Sequence, residues 1–420
     1  MPVETSIALD PASPDRMVAV SAQFLRTPGG PAVSNFAYAS ADGGATWRTV
    51  PTANPRGVGQ GDDVVIAGPG VFHHVYLGAD GFRDRRAKRA HTGLYCTTSR
   101  DGGATWEAPV PLVEHINSTQ PFEDKPGIAV DTVPDSPHKG ALYAAWTRFE
   151  VYGSKDPLHK SHIYFTRSLD GGRTFDQPLR ISDAPGTCVD DSDTVEGAVP
   201  AVGPKGEVYV VWSGPRGLVF CASADGGESF GKERVIGTHP GGWDFPVEGL
   251  GRANGMPVAK VDLSKGPRRG AVYVNWIDNR NGDPDVFVMS SKDGGATWSE
   301  PVRVNDDPVR NGKAQFFTWM AVDPADGAVN VAFYDRRGLD GTRTGLTLAR
   351  SLDGGKTWRN HRVELAPFEC NPGVFFGDYL GVDAVGGRVA VSFMHFTGVK
   401  DIALSAAIWR FRPGSQEVEK

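Results

Sequence analysis

Ser351-Leu352-Asp353-Gly354-Gly355-Lys356-Thr357-Trp358 is one of six copies of a single eight-residue pattern. The others occupy residues 40–47, 99–106, 168–175, 223–230 and 291–298, and all six read Ser-x-Asp-x-Gly-x-Thr/Ser-Trp/Phe. One copy is an ordinary tight turn. Copies recurring every 55 to 69 residues or so mark a chain built from repeated units. Within a copy, Asp-Gly-Gly supplies a side chain that bonds its own backbone, followed by residues tolerant of positive φ, which suits a hairpin turn between strands. The Thr hydroxyl can return a bond to the Asp carboxylate. The closing aromatic is an apolar plug for the gap between neighbouring units. Residues 223–230 are the most divergent copy, with Ser229 and Phe230 in place of Thr and Trp.

The text between the turns repeats as well. Apolar runs ending in Asp or Gly begin at Ser6, Val64, Gly127, Ala198, Pro257, Trp319 and Tyr379. Each is followed by a short turn and a second apolar run, starting at Met17, Val71, Ala141, Val208, Val272, Val329 and Val389. Seven strand pairs against six turns predict an all-β, single-domain β-propeller over residues 1–420. Its seven antiparallel four-stranded blades fall at about 1–50, 63–111, 124–182, 196–237, 255–304, 316–364 and 375–413. The alternative is six blades and an extra hairpin. The last blade has no turn of this kind, so a terminal segment is expected to close it.

Strand direction then locates function. If the repeated turns join third and fourth strands, the long connections emerge on the opposite face, and long loops on a rigid scaffold are where binding and catalysis sit. Charged and polar residues gather where those connections meet the innermost strands: Asp62, Asp63, Asp124, Glu196, Arg252, Asn254 and Asp378 with Tyr379. Second-strand ends add Asp278, Arg280, Asp335, Arg336 and Arg337. Convergence of the inner strands on the axis can bring them into one pocket. Each also has a plainer reading. Aspartates at strand starts cap turns, Asp278–Arg280 and Asp335–Arg336 make local salt-bridged turns, and Tyr379 is a core aromatic. Trp243 either covers a loop or stacks on a sugar ring.

A net charge of −6 argues against a nucleic-acid binder working through a basic field. The one basic run, residues 83–89, reads as a solvated loop. Of the four cysteines, Cys96 and Cys221 lie in strand-like text, and Cys188 and Cys370 lie in loops and are the disulfide candidates. Asp190, Asp191 and Asp193 offer oxygen ligands for a structural calcium but match no complete loop pattern. No apolar stretch is long enough to span a membrane. Met1-Pro2-Val3 leads directly into strand pattern, so the expectation is a mature secreted or periplasmic chain, with the cytoplasm as the alternative, and a monomer.

The repeated turn resembles the Asp box of the sialidase superfamily, where it joins the third and fourth strands of propeller blades. That resemblance covers nearly the whole chain and speaks to fold more than chemistry. It implies a glycoside hydrolase releasing a terminal acidic sugar, sialic acid-like or uronic, from a glycan, with no cofactor. By that likeness Tyr379 is the nucleophile and Glu196 its carboxylate partner. Asp63 or Asp124 is the acid/base, and Arg252, Arg280 and Arg336 clamp the substrate carboxylate, with Asp378, Trp243 and Asn254 around them. The chain departs from the family at its first arginine motif, Phe/Tyr-Arg-Ile/Leu-Pro, whose nearest text is Phe24-Leu25-Arg26-Thr27-Pro28 at the wrong spacing. Two other functions fit the same face: a non-catalytic glycan- or protein-binding propeller, and a polysaccharide lyase with Arg280 or Arg336 neutralising a uronate and Tyr379 or His395 as base.

Overall fold

The structure is a computed structural model that describes residues 1–27, 30–54, 59–80 and 91–419. The basic run 83–89 and part of the first arginine-like motif lie outside the described residues. Seven antiparallel sheets follow one another along the chain as the seven blades of a propeller. The first runs Pro2–Leu9, Met17–Thr27, Gly30–Ser40 and Arg48–Pro51, in that order across the sheet. The inner strands of the remaining six blades are Gly59–Gly68, Phe122–Val130, Glu196–Val202, Val258–Val261, Gln315–Val322 and Gly381–Val385. Among the described residues no helix is long and apolar enough to cross a membrane.

Blade 7 corrects one expectation. It has three strands, and no terminal segment adds a fourth to it. The chain end instead makes a single bridge between Phe411 and Val418 and lies over blade 6, where Arg350 donates to the Ser415 carbonyl. The ring closes between blades 7 and 1 through the Leu9 amide, which donates to Asp383 Oδ2 at 2.8 Å. Gly381 permits this close approach: a Cβ there would lie 2.7 Å from the Ile7 nitrogen.

The six repeated turns share one hydrogen-bond pattern. Each Ser Oγ donates to the Asp Oδ1 at 2.6–2.9 Å. The Thr or Ser hydroxyl donates to Oδ2 at 2.6–2.7 Å. These bonds to the ionised form hold the exposed carboxylates low, at about 2 for Asp42 and Asp293. The closing aromatics bind blades together. Phe230 lies edge-on to Phe165 of the preceding blade at 4.8 Å, and Trp298 to Phe220 at 5.2 Å. The turns are fasteners on one face of the ring.

All four cysteines are free and buried, which corrects the disulfide expectation. Cys188 belongs to a core shared by blades 2 and 3 and Cys370 to one shared by blades 4 to 7.

The innermost strands carry a second repeated device. Pairing with the neighbouring strand slips near the start of the inner strands of blades 1, 2, 3, 4 and 6. At each slip one residue is left-handed: Glu4 (φ 53°), Asp62 (φ 53°), Lys125 (φ 46°), Gly197 (φ 71°) and Phe317 (φ 45°). Such β-bulges re-aim side chains, and a left-handed non-glycine residue costs about 1 kcal/mol or more that the surroundings must offset. Three of the four non-glycine bulge residues are charged, and they surround the site.

Candidate functional site at the ring axis

A cavity of about 250 Å³ opens near the axis on the face away from the repeated turns. Its lining is of two kinds. One is apolar, formed by Val3, Ala22, Phe24, Val33, Leu77 and Phe375. The other carries Glu4, Asp62, Asp124, Asp190, Asp378 and Arg252, with Tyr152 beside them.

Arg252 organises the acidic wall. Its Nε and Nη2 donate to Asp378 Oδ1 and Oδ2 at 2.9 and 2.7 Å, a bidentate pair, and its Nη1 donates to Asp190 Oδ2 at 2.7 Å. The two carboxylates raise the pKa of the guanidinium further above its ordinary range against the opposing effect of burial. Asn254 fixes the other side of Asp378, donating to its carbonyl at 2.9 Å. Asp190 is a hub. It also accepts from the Tyr152 hydroxyl and the Trp243 indole, both at 3.2 Å.

Two further carboxyls adjoin the wall, Asp124 near Asp62 and Glu196 near Asp190. Repulsion from the neighbouring acid adds to burial in disfavouring the ionised forms of Asp124 and Glu196. Burial first, then the neighbouring Asp62, lifts the Asp124 carboxyl well above its ordinary range. Glu196 is raised by burial, Asp190 and Asp124, and Glu4 by burial, Asp62 and Asp378. Asp378 is also raised by burial, with Arg252 pulling the other way. Beneath the cavity, Lys125 holds its Nζ 3.7 Å from the centre of the Tyr379 ring, its pKa lowered by burial against four attracting acids.

Asp62, Asp124, Arg252, Asp378 and Asn254 therefore lie in or directly behind one cavity, and the other sequence-derived positions do not open onto it. Asp63 is fully buried and pairs with His74 behind the strand, while its neighbour Asp62 faces the cavity. Tyr379 is 2% exposed, its hydroxyl donates to the Asp63 carbonyl at 3.3 Å, and burial pushes its pKa up. No hydrogen bond joins it to Glu196, which is itself buried behind the wall with Oε2 unpartnered. Trp243 is buried with its indole on Asp190 and packs against Gly197, so it offers no face to a sugar.

The remaining arginines are outside the cavity too. Arg280 folds back on Asp278 at 2.6–2.9 Å and over the Phe287 ring. Arg336 is buried against Thr344 and Phe316, and it is Arg337 that pairs with Asp335. An arginine two residues after a strand-end aspartate returns to that aspartate more readily than it crosses to the axis. Asp190 and Tyr152 are the residues that sequence reading did not place at this site, and Asp62, gathered at this face, was given no role there. The acidic run around Asp190, in a long connection on the functional face, was the available signal. Among the described residues, no group of three or more His, Cys, Asp or Glu is arranged to hold a metal ion.

No family model matches the sequence. A sialidase from Bacteroides fragilis (strain YCH46) is 25% identical over 293 residues, 64% of this chain and 48% of that protein, so the match spans about half the relative's length. Among solved structures, the NanB sialidase from Streptococcus pneumoniae superposes with a TM-score of 0.51 at 10% identity, over 97% of this chain and 93% of that one. A mutant Trypanosoma rangeli sialidase displaying trans-sialidase activity gives 0.52 at 13% identity, over 84% of this chain and 54% of that one. At these identities the structural likenesses speak to the fold alone. Seven antiparallel blades with an axial cavity opposite the repeated turns make this chain a seven-bladed β-propeller, similar in sequence to a bacterial sialidase.

Proposed function

We propose that the chain is a carbohydrate-active glycoside hydrolase whose reaction centre is the axial cavity. The observation that carries this reading is that Asp62 and Asp124 line the same cavity, where burial and the neighbouring Asp62 raise the Asp124 carboxyl well above its ordinary range. A carboxyl that keeps its proton near neutral pH is what a glycosidic leaving oxygen needs from a general acid. Asp124 gives that proton and Asp62 sets the affinity with which it is held. The surrounding carboxylates favour the positive charge that develops on the sugar as the bond breaks.

In this reading Tyr152 takes the role that family likeness gave to Tyr379. Tyr152 lines the cavity and its hydroxyl donates to Asp190; burial and the surrounding acids push its pKa up, so in this reading Asp190 takes the phenol proton as attack proceeds. Arg252 and Asn254 are positioning residues that hold Asp378 and Asp190 in place. The lyase alternative loses support here, because Arg252 is already engaged by two carboxylates and Arg280 and Arg336 lie elsewhere.

The test is release of a chromogenic aglycone from a panel of aryl glycosides, with Asp124→Asn and Tyr152→Phe alongside the parent chain. Both variants are expected to lose turnover while keeping the parent melting temperature within a few degrees. Glycan binding with no turnover across the panel would move the chain to the binding-propeller reading.

A further inference from the structure

The two walls of the cavity also constrain the charge of what enters it. Among the described residues lining it, Arg252 is the one cation, and all three of its nitrogen atoms are committed, two to Asp378 and one to Asp190. A carboxylate on a ligand would have to displace one of those partners while facing Glu4, Asp62 and Asp124. Lys125 gives no relief, because its Nζ sits over the Tyr379 ring rather than on the cavity wall.

The opposite wall points the same way. Phe375 is 39% exposed at the cavity rim, edge-on to Phe24 at 6.5 Å, with Leu77 beyond. An exposed aromatic beside a cavity is a platform for the C–H face of a sugar ring. Hydroxyls on the ring's other edge would then meet carboxylates, which accept hydrogen bonds from hydroxyl donors.

We infer that the sugar bound here is uncharged: a neutral glycone that lays its apolar face on Phe24 and Phe375 and directs hydroxyls to Asp62, Asp124 and Asp190. This rests on the hydrolase reading for the location of the site, and it departs from the acidic sugar that family likeness implies. Even with the proton held on Asp124, the two carboxylates on Arg252 outnumber its single positive charge, so the lining disfavours a sugar acid.

The experiment is calorimetric titration of the full chain with size-matched ligands. These are methyl pyranosides and furanosides, each in neutral and uronic form, a methyl sialoside and a protonated iminosugar. The neutral sugars or the iminosugar are expected to bind at least tenfold more tightly than the corresponding acids. Equal or tighter binding of a uronide or sialoside overturns the inference, and so does a panel in which nothing binds. Asp190→Asn uncovers Arg252 Nη1 and should narrow the preference at least threefold. Phe375→Ala should weaken the neutral ligand at least fivefold, with Phe375→Tyr restoring it; an unchanged affinity in Phe375→Ala removes the apolar platform. The two readings fail separately. Cleavage of a sialoside keeps the hydrolase and removes the neutral substrate, whereas preference for neutral sugars with no glycoside cleaved does the reverse.

Discussion

On the face that carries the repeated turns, six surface aspartates are surrounded by donors, and their pKa values are depressed. On the opposite face, Glu4, Glu196 and Asp378 are buried and Asp124 half-buried among other acids, and theirs are raised. The carboxyl chemistry is the same and the surroundings differ. Where Ser Oγ, Thr Oγ1 and backbone N–H groups converge on a carboxylate in water, the charge is satisfied and the group is a fastener. Where burial removes water and other carboxyls replace donors, the group's hold on a proton is strengthened. Stability lies with the first set and reactivity with the second.

The largest effect should come from breaking the reactive side of that contrast. Asp124→Asn keeps the shape and hydrogen-bonding edge of the side chain but has no proton of the right acidity to transfer. Turnover of the best aryl glycoside is expected to fall by about 10²–10⁴. Asp62→Asn leaves the proton on Asp124 but removes the neighbour that helps raise its pKa. Its signature is a basic limb of the kcat profile displaced to lower pH, and a profile that does not move would remove the pair from the mechanism.

Arg252→Ala tests what holds the acidic wall together. It leaves Asp378 and Asp190 without their shared cation. Removing one partner of a fully buried pair costs about 3–5 kcal/mol, and since the guanidinium is 38% exposed, about 2 kcal/mol is the expected loss in chemical denaturation. Adding Asp378→Asn should recover part of it, because an amide tolerates the missing cation. A double variant no more stable than Arg252→Ala alone would mean the pair is not what the wall depends on.

Glu196 gives a finer cut on the same side. Its folded pKa is raised, so the folded protein binds a proton that the unfolded chain releases at the ordinary glutamate value near 4.5. That contribution is fully present below 4.5 and is lost as pH rises toward the folded value. Glu196→Gln has no proton to lose. Its melting temperature should therefore gain on the parent as pH is raised from 4.5 through neutrality, and a constant difference across that range would contradict the assignment.

The contrast between the faces also explains what the sequence disclosed and what it withheld. The repeated turns are local: eight consecutive residues contain their own donors, acceptors and plug, so fold and functional face could be read from Ser351 to Trp358 and its copies, and blade number from the seven strand pairs between them. The cavity is assembled from positions that no window contains. Asp63 looked as good as Asp62 because period-2 alternation decides which side a strand residue faces. The left-handed bulge at Asp62 interrupts that alternation and sends the neighbour inward. Lys125 carries the equivalent bulge in blade 3, one residue beyond Asp124. Tyr152 reaches the axis from a loop between the second and third strands of its blade, a path with no periodic trace. Tyr379 was the conspicuous tyrosine because it follows Gly377-Asp378, yet its ring is floor beneath Lys125.

The smallest effects should come from the fasteners, because there are six of them and each is exposed. Thr357→Val removes the hydroxyl that donates to Asp353 Oδ2 at 2.7 Å, a net loss of about 1 kcal/mol or less. The pH signature is more telling than the magnitude, and its sign is opposite to that of Glu196. Asp42 and Asp293 have folded values near 2 against an ordinary 3.8, so the folded state binds fewer protons than the unfolded chain between those values. Their contribution is complete above about pH 4 and is lost as pH falls toward 2. Asp42→Asn and Asp293→Asn should each lower stability at neutral pH and leave it closer to the parent at pH 2. In a series of melts from pH 7 to pH 2, the parent should fall more steeply than either variant on the acid limb. If the curves run parallel there, the turns hold the blades by shape alone and the electrostatic half of the comparison does not apply to them.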